Sequence, residues 1–241
     1  MVIVASDGHY WPGAASTAHR ALVKFCGELR PCAVVVNGDA FDGAGISRHP
    51  PIGWEAQPSV VDQLGACQER LAEIENAAPP TAALAWTLGN HDARYETRLA
   101  TVAPEFAKIH GTHLKDHFPA WPTAWSVFIN DDVVVKHRLK GGMHAPQNNT
   151  LWSGRTTITG HLHSAKVMPI SDYNGTRWGV DTGCIAEPYS GPFRDYTEDA
   201  PLNWRSGFGV LTFYRSRLLW PELVTVFDRE SVEFRGQVIR V

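Results

Sequence analysis

Five short apolar segments of the chain each lead into aspartate, histidine or asparagine residues. The polar clusters are Asp7-Gly8-His9, Gly38-Asp39-Ala40-Phe41-Asp42, Gly89-Asn90-His91-Asp92, His137 and Gly160-His161-Leu162-His163. If the apolar segments are strands of open α/β sheets, the loops at their carboxyl ends converge on one crevice. Carboxylate, imidazole and amide ligands without a thiolate favour Mn, Fe or Zn. The sequence therefore predicts a metal site that several strands assemble together.

The elements that must position these clusters alternate in the first half of the chain. The spacing of apolar residues predicts strands over 2–5, 33–36 and 82–88, and helices over 14–29 and 59–77. Residues 93–109 predict another helix, interrupted near Pro104. Such alternation is typical of parallel strands that are covered by helices.

The second half of the chain is rich in predicted strands. Hairpins are expected around residues 130–132 and 173–175, where turn residues separate two apolar runs. Further strands are expected over 155–159, 208–214, 223–227 and 232–241. A second sheet packed against the first would bury the apolar faces of both.

The ordered motifs D-x-H, G-D-x-x-D, G-N-H-D, H and G-H-x-H, which span residues 7–163, resemble those of the calcineurin-like metallophosphoesterase superfamily. Residues 181–184 and 203–208 are similar to segments of compact members that phages and prophages encode. The resemblance implies an α/β fold (α+β in some schemes), a four-layer αββα sandwich of two packed mixed β-sheets flanked by helices. We expect residues 1–241 to form one such domain, with a dinuclear metal centre at the strand ends.

The resemblance also implies which residues bind the ions. The family pattern assigns Asp7, His9 and His163 to the first ion, Asn90, His137 and His161 to the second, and Asp39 to both as a bridge. We expect two divalent ions, with Mn²⁺ favoured and Fe, Zn or Ni as alternatives. A hydroxide held between two such ions would be the nucleophile, and the ions would clamp the attacking and leaving oxygens at phosphorus.

His91 has a different role in the family pattern. Its neighbour Asn90 is the ligand, and His91 would donate a proton to the leaving oxygen as general acid. Asp42, the second aspartate of G-D-x-x-D, would orient His91, and we expect it to act through His91 rather than through the metals. Asp92 is expected to cap the following helix instead.

The sequence departs from the family pattern at two positions. Gly43 follows Asp42, where phosphoprotein phosphatases carry an arginine that holds the substrate phosphate. Arg138 follows His137, where a glycine is common. His144 is therefore a rival to His137 as a ligand, but His137 is preferred because it ends a β-branched run.

Other residues near the motifs have two interpretations. Arg94 would contact the substrate phosphate or belong to an exposed helix face. Tyr10 and Trp11 follow His9 directly, so we expect both near the pocket mouth, where they would wall off the metals or stack on a nucleobase. The histidines outside the motifs are expected to be solvated: His19, His49, His110, His113 and His117.

Composition excludes several classes of protein. The net charge of −3 and the pI near 6.4 argue against a protein that coats nucleic acid through a broad basic face. No apolar run approaches the roughly 20 residues of a membrane span, and the four cysteines form no C-x-x-C pair. No export signal precedes the first strand, so we expect a cytoplasmic protein, in view of the phage resemblance one of a phage-infected or prophage-carrying bacterial cell.

The resemblance predicts a metal-dependent phosphoric ester hydrolase. The favoured activity is that of a phosphodiesterase or nuclease-like enzyme on nucleotide or nucleic-acid substrates, and the alternative is a small-molecule phosphomonoesterase. A catalytically inactive interaction scaffold, such as the retromer subunit of this superfamily, is the alternative of another class. It is disfavoured because His91 and every ligand position are filled. We expect a phosphoester substrate as partner and no membrane.

Overall fold

Strands and helices alternate through the first half of the chain in the computed structural model, which describes residues 1–50, 56–188, 197, 200 and 202–241. The elements are β1 (Val2–Ala5), α1 (Thr17–Leu29), β2 (Ala33–Asn37), α2 (Val60–Ala77), β3 (Ala83–Thr87), α3 (Ala93–Val102), β4 (Thr123–Ala124), β5 (Val127–Asn130), β6 (Val133–Val135) and α4 (Ala145–Ser153). They continue with β7 (Thr156–Thr159), β8 (Lys166–Asp172), β9 (Gly175–Asp181), β10 (Gly207–Leu211), β11 (Phe213–Tyr214), β12 (Arg217–Leu218), β13 (Glu222–Asp228), β14 (Ser231–Phe234) and β15 (Gln237–Arg240).

The larger sheet joins eight strands in the order β15-β14-β13-β10-β1-β2-β3-β4. Strands β1 to β4 pair in parallel, and β10 pairs antiparallel with β1. Helices α1 and α2 pack against each other, and α1 contacts β10, β13 and β14. Because β1, β2 and β3 are parallel, the motifs that follow them lie at the same edge of the sheet.

The smaller sheet joins five strands in the order β5-β6-β7-β9-β8. Its central strands β6, β7 and β9 are parallel, and the edge strands β5 and β8 are antiparallel to their neighbours. Helix α4 packs against β7, β8 and β9. The motifs with His137 and His161 follow β6 and β7, so this sheet delivers its own ligands to one edge.

Strand β1 is buried on both faces, which shows how the layers are stacked. Ile3 belongs to the apolar core on the helix side of the larger sheet. Val2 and Val4 point the other way, into a core that they share with Val135 and Ile158 of the smaller sheet. The layers therefore follow the order helices, larger sheet, smaller sheet and helix, and the predicted αββα sandwich is confirmed.

The hairpins predicted around 130–132 and 173–175 are confirmed as β5–β6 and β8–β9. The strand predicted over 208–214 is wrong in its extent, because β10 ends at Leu211 and β11 pairs with β12 instead. The strand predicted over 232–241 is a hairpin, β14–β15, in which Arg235 and Gly236 have φ of 53° and 71°. Two consecutive positive φ angles make a tight turn, and Arg-Gly is a weaker signal for it than Asn-Gly.

Two observations concern helices. Helix α4 was not predicted, because its sequence lacks the periodic apolar face on which such predictions rest. Within the residues that the structure describes, no helix combines the length and the apolar character that crossing a bilayer requires.

Candidate metal centre

The polar motifs at the ends of β1, β2, β3, β6 and β7 meet at one end of the two sheets. Backbone hydrogen bonds from Asp7 N to Gly38 O and from Gly160 N to His137 O tie the motifs together. The structure brings together every residue that the sequence analysis assigned to the site: Asp7, His9, Asp39, Asp42, Asn90, His91, Arg94, His137, His161 and His163.

The first candidate ligand group combines Asp7, His9 and His163, whose ligand atoms lie within 4.8 Å of one another. His163 Nε2 lies 3.0 Å from Asp7 Oδ1, and His9 Nε2 lies 3.8 Å from the same oxygen. All three residues are buried. A carboxylate oxygen and imidazole nitrogens that converge in this way form a donor set suited to a divalent transition metal.

The second group combines Asp39, His137 and His161. His137 Nδ1 lies 2.8 Å from Asn37 O and donates its proton there, while Nε2 lies 3.0 Å from Asp39 Oδ2. The hydrogen bond to the carbonyl therefore fixes the tautomer that presents Nε2 as a ligand. The rival residue, His144, is exposed at the beginning of α4 and is not part of the group.

Asn90 provides an independent test of whether these residues fit a cation. Its Oδ1 atom is buried and has no hydrogen-bond partner among the residues that the structure describes. A buried amide oxygen without a partner costs about 1–3 kcal/mol, and a nearby cation would remove that cost. Asn90 lines the same cavity as Asp39 and His161. The donor set and the unpartnered oxygen both fit divalent metal ions.

Without metal, carboxylates and imidazoles stabilise one another's charges. Burial lowers the pKa of His9, but hydrogen bonds to Asp42 and Asp7 outweigh it and raise this pKa to about 10. Burial likewise lowers the pKa of His137, but Asp7 and Asp39 raise it to about 9. Burial raises the pKa of Asp39, yet the imidazoles around it hold this pKa well below its usual range. In the metal-free site the protons of His9 and His137 therefore supply positive charge where metal ions would otherwise supply it.

Several candidate ligands have a strained backbone. The φ angles lie in the left-handed region, which residues other than glycine rarely adopt, at Asp7 (58°), His9 (42°), Asp39 (52°), His161 (70°) and His163 (56°). Such strain costs about 1–3 kcal/mol per residue and persists where the surrounding structure holds it, most often at functional sites. Here the strained backbone lets both polar residues of a short loop, such as Asp7 and His9 or His161 and His163, point into the candidate metal centre.

Two motif glycines allow the carboxylates to approach the backbone closely. A Cβ atom on Gly89 would lie 2.0 Å from Asp39 Oδ1, and one on Gly160 would lie 2.5 Å from Asp7 Oδ2. The same carboxylate oxygens accept hydrogen bonds from His91 N and His161 N, each at 2.8 Å. Glycine is therefore required at the first position of both G-N-H-D and G-H-x-H, because a side chain at Gly89 or Gly160 would clash with a carboxylate.

The expectation that the Asp92 side chain caps α3 is wrong. It makes no capping hydrogen bond. Its Oδ2 accepts from Asp39 N at 2.8 Å and from Gly89 N at 2.7 Å, and its Oδ1 accepts from Phe41 N at 3.0 Å. Burial and the charge of Asp39 raise its pKa to about 7. Asp92 therefore ties together the loops after β2 and β3 that carry Asp39 and Asn90.

Asp42 contacts His91, and it contacts His9 as well. Its Oδ1 lies 2.8 Å from His91 Nδ1 and 2.9 Å from His9 Nδ1. Its Oδ2 accepts a hydrogen bond from Trp11 Nε1 at 2.9 Å. Burial raises the pKa of Asp42, but its hydrogen bonds with the two histidines outweigh burial and hold this pKa well below its usual range. The contact with His9 could not be predicted from the sequence, because nothing local relates the two residues.

Arg94 lies over the pair formed by Asp42 and His91. Its Nη1 donates to Asp42 O at 2.9 Å, and its Nη2 lies 3.1 Å from His91 Nε2. A Cβ atom on Gly43 would lie 3.3 Å from the Arg94 side chain. Arg94 therefore occupies the space above the glycine that replaces the family's arginine, and of its two interpretations the exposed helix face is wrong.

Tyr10 lines the cavity, as expected, but it is too buried to stack on a nucleobase. It is only 6% exposed, and its hydroxyl donates to His19 Nδ1 at 2.9 Å. His19 Nε2 in turn lies 2.7 Å from Glu73 Oε2, and the residue is 1% exposed, so the prediction of a solvated His19 is wrong. Trp11 lines the same cavity but is only half-buried.

A cavity of about 890 Å³ opens beside the two ligand groups. It is lined by His91 and Arg94, by the indoles of Trp11 and Trp204, and by apolar side chains such as Ile185. The Trp204 ring packs against the His163 ring at a centroid distance of 4.4 Å. The sequence analysis noted Trp204 only as part of a family-like segment, and no local signal placed it at the site.

Comparisons with known proteins give the fold. No family model matches the chain. Gene 54 protein of Mycobacterium phage D29 is 27% identical over 226 residues, which cover 86% of each protein. A zinc complex of Vps29 from Entamoeba histolytica has a TM-score of 0.52 and 14% identity over 100% of this chain and 97% of that one. An archaeal phosphodiesterase has a TM-score of 0.44 and 15% identity, with coverage of 93% and 99%. At 14% identity the likeness to Vps29 concerns the fold alone, and this chain therefore has the calcineurin-like metallophosphoesterase fold.

Proposed function

We propose that the protein is a divalent-metal-dependent phosphoesterase, and specifically a phosphodiesterase that acts on nucleotide or nucleic-acid substrates. One observation carries the proposal. Two carboxylate–imidazole groups, buried except for the half-buried His161, lie at one cavity beside the imidazole–carboxylate pair of His91 and Asp42. Asp42 also contacts His9 of the first group. Metal ligands alone would suit a structural site, but a paired histidine that faces the cavity supplies a proton donor as well.

The residues that would hold two ions are those of the two groups. Asp7, His9 and His163 would hold the first ion, Asn90, His137 and His161 the second, and Asp39 would contact both. The mixed oxygen and nitrogen donors favour Mn²⁺, with Fe, Zn or Ni as alternatives. When bound, such ions supply the positive charge that polarises a phosphoryl group and activates water at neutral pH.

His91 would protonate the leaving oxygen. Its Nδ1 is held by Asp42, and its Nε2 lies 3.1 Å from Arg94 Nη2, which can only donate. For the transfer, Arg94 would turn to the substrate phosphate and leave Nε2 free to carry the proton. The Asp42 carboxylate stabilises the protonated ring and fixes its orientation. When the bond from phosphorus to the leaving oxygen breaks, that oxygen would take the proton from Nε2.

Arg94 would contact the substrate phosphate. Its Nη2 lies beside His91 Nε2, so a phosphoryl oxygen near the leaving group would be within reach of the guanidinium. Arginine's planar group suits such oxygens because two of its N–H groups can donate together. In this role Arg94, whose side chain packs over Gly43, would stand in for the arginine that phosphoprotein phosphatases carry directly after this aspartate.

The main alternative is a small-molecule phosphomonoesterase. A cavity of about 890 Å³ exceeds the space that a small monoester fills, and apolar side chains such as Ile185 and Ala186 form part of its lining. A substrate with a group on each side of phosphorus would use more of this space. The cavity therefore favours the diester.

The test compares bis(p-nitrophenyl) phosphate with p-nitrophenyl phosphate. We expect the Mn²⁺-loaded protein to hydrolyse the diester at the higher kcat/KM, to lose activity with a chelator and to regain it with Mn²⁺. Preference for the monoester would favour the alternative enzyme. Metal binding without hydrolysis of either ester would favour a non-catalytic scaffold and overturn the proposal.

A further inference from the structure

Two tryptophans each contact a different residue of the candidate metal centre. Trp11 donates its indole N–H to Asp42, which contacts His9 Nδ1. Trp204 packs against the ring of His163. His163 Nε2 contacts Asp7 Oδ1, the same oxygen that lies near His9 Nε2. Because Nδ1 and Nε2 of one imidazole point in divergent directions, the two indoles lie on different sides of His9.

Both indoles also form part of the cavity wall. Trp11 and Trp204 are half-buried, and both line the cavity of about 890 Å³. Each is held by a contact with a site residue, so little side-chain freedom would be lost when a planar group stacks on it. The cavity lining also includes Pro12, Ile185 and Ala186, which offer no charge to a phosphate but suit an uncharged ring.

A phosphate bound at the ligand groups would therefore lie between two aromatic surfaces. Its leaving group would point toward His91, Asp42 and Trp11, and its other substituent would point toward Trp204. A monoester has only one substituent to offer. A phosphodiester with a nucleobase on each side can use both surfaces, since every base has a face that stacks on indole.

Charge limits the length of such a substrate. Apart from histidines, the cationic side chains among the described residues that line the cavity are Arg70 and Arg94. Arg70 is already paired with Glu69 and Glu73. Binding of a long polymer depends on several phosphate contacts at once, and the described lining of this cavity, where Arg94 is the one arginine not paired with a carboxylate, supplies few.

We infer that the substrate is a short nucleotide phosphodiester of about dinucleotide length, with its retained nucleoside against Trp204 and its leaving nucleoside toward Trp11. The inference rests on the proposed phosphodiesterase function and adds the class and size of the substrate.

The experiment compares esters that share one leaving group. Thymidine 5′-(p-nitrophenyl phosphate) and methyl p-nitrophenyl phosphate both release p-nitrophenolate, and they differ only in the retained substituent. For the Mn²⁺-loaded wild type we expect KM for the thymidine ester to be about 5-fold to 150-fold lower, the range that one base–indole stack provides. Binding of thymidine 5′-monophosphate, measured by calorimetry, reports on the same contact without turnover.

Variants separate the two surfaces. Trp204→Leu should raise KM for the thymidine ester by a larger factor than KM for the methyl ester, and Trp204→Phe should restore most of that difference. Trp125→Leu, at a tryptophan 59% exposed and outside the cavity lining, is the matched control and should change neither value. Metal content of each variant is measured alongside, because Trp204 contacts His163.

The outcomes distinguish the inference from the proposed function. If the wild type hydrolyses both esters with equal KM, or if Trp204→Leu affects both equally, the inference fails and the phosphodiesterase function stands. If neither ester is hydrolysed, the proposed function fails, and the binding of thymidine 5′-monophosphate still tests the Trp204 surface. A higher kcat/KM on long single-stranded DNA than on a dinucleotide would overturn the short substrate.

Discussion

His9 and His91 share one hydrogen-bond acceptor, because the Nδ1 atoms of both rings lie within 2.9 Å of Asp42 Oδ1. Their rings meet edge to face at a centroid distance of 4.5 Å. A candidate metal ligand and the candidate proton donor are thus oriented by a single oxygen. This corrects the expectation that Asp42 acts through His91 alone, since any change at Asp42 also reaches His9.

Asp42→Asn should therefore weaken metal binding as well as slow turnover. The variant keeps the shape but loses the charge, and its amide would place an N–H donor against either a histidine or Trp11 Nε1. Residues that orient a metal ligand affect metal affinity by about 10-fold to 100-fold, so we expect one of the two ions to be lost first. Elemental analysis and calorimetry measure this loss, with the exposed Asp131→Asn as control. Slower turnover with unchanged metal affinity would restore the simpler role.

The His91→Ala variant should bind metal as the wild type does but should lack the proposed proton donor. We place His91 outside the ligand set, because Asp42 occupies its Nδ1 and its Nε2 lies beside Arg94. General acid catalysis contributes about 10²-fold to 10⁴-fold, and it matters most when the leaving oxygen is basic. A nucleoside alkoxide should therefore suffer more than p-nitrophenolate when kcat is compared for the two leaving groups. Equal losses, or loss of metal, would contradict the role of His91.

Asp39→Asn should weaken both metal sites together. Asp39 belongs to the second ligand group, and its charge also acts on His9 of the first. If Asp39 contacts both ions, removing its charge should lower the affinity for both. If it binds one ion, the substitution should change only one step of a metal titration. Calorimetric titration with Mn²⁺ resolves the two cases. A variant that binds one ion with unchanged affinity would show that Asp39 does not bridge.

Metal binding should release protons and tighten as the pH rises. His9 and His137 have pKa values raised to about 10 and about 9 in the metal-free site, so both rings are protonated at pH 7. A metal must displace these protons, and its apparent affinity should increase until the pH reaches about 9 to 10. Calorimetry in buffers of different ionisation enthalpy counts the protons released. His137→Gln should lower that count by about one, while His144→Gln at the exposed rival should leave it unchanged.

The same shifts set the stability of the metal-free protein. A raised pKa means that the folded state holds its proton more tightly than the unfolded state does. This contribution is complete below the ordinary histidine pKa of 6.5 and is lost as the pH rises through 9 to 10. Urea unfolding of the metal-free protein should show a lower free energy of unfolding at pH 10 than at pH 6. A higher free energy at pH 10 would contradict the assignment.

Arg94→Ala should raise KM with metal content unchanged. Its guanidinium contacts Asp42 O and approaches His91 Nε2, but it touches no atom of the two ligand groups assigned to the ions. Hydrogen bonds to charged groups contribute about 1.5–3 kcal/mol, so we expect KM for a phosphodiester to rise about 10-fold to 100-fold. Arg98→Ala, one turn further along α3 and exposed, is the control. Unchanged KM in Arg94→Ala would remove it from the substrate site.

The sequence by itself indicated two packed sheets with helices, and the resemblance of its motifs to the calcineurin-like metallophosphoesterases implied the αββα order and the residues of the site. Apolar runs predicted the strands, and each motif follows its strand directly, so types and order of the candidate ligands could be predicted from local information. What it could not determine is which side chains share a partner. Asp42 and His9 are 33 residues apart, and only the packing of β1 beside β2 brings them together.

Tertiary structure also decided where neighbouring residues point. His9, Tyr10 and Trp11 are consecutive, yet His9 joins a ligand group, Tyr10 reaches His19 in the core, and Trp11 lines the cavity. The left-handed φ of His9 turns the chain at this point, and contacts distant in sequence hold that conformation. A pattern of residue types carries no information about such a turn, because the backbone strain is compensated by parts of the fold that the local sequence does not contain.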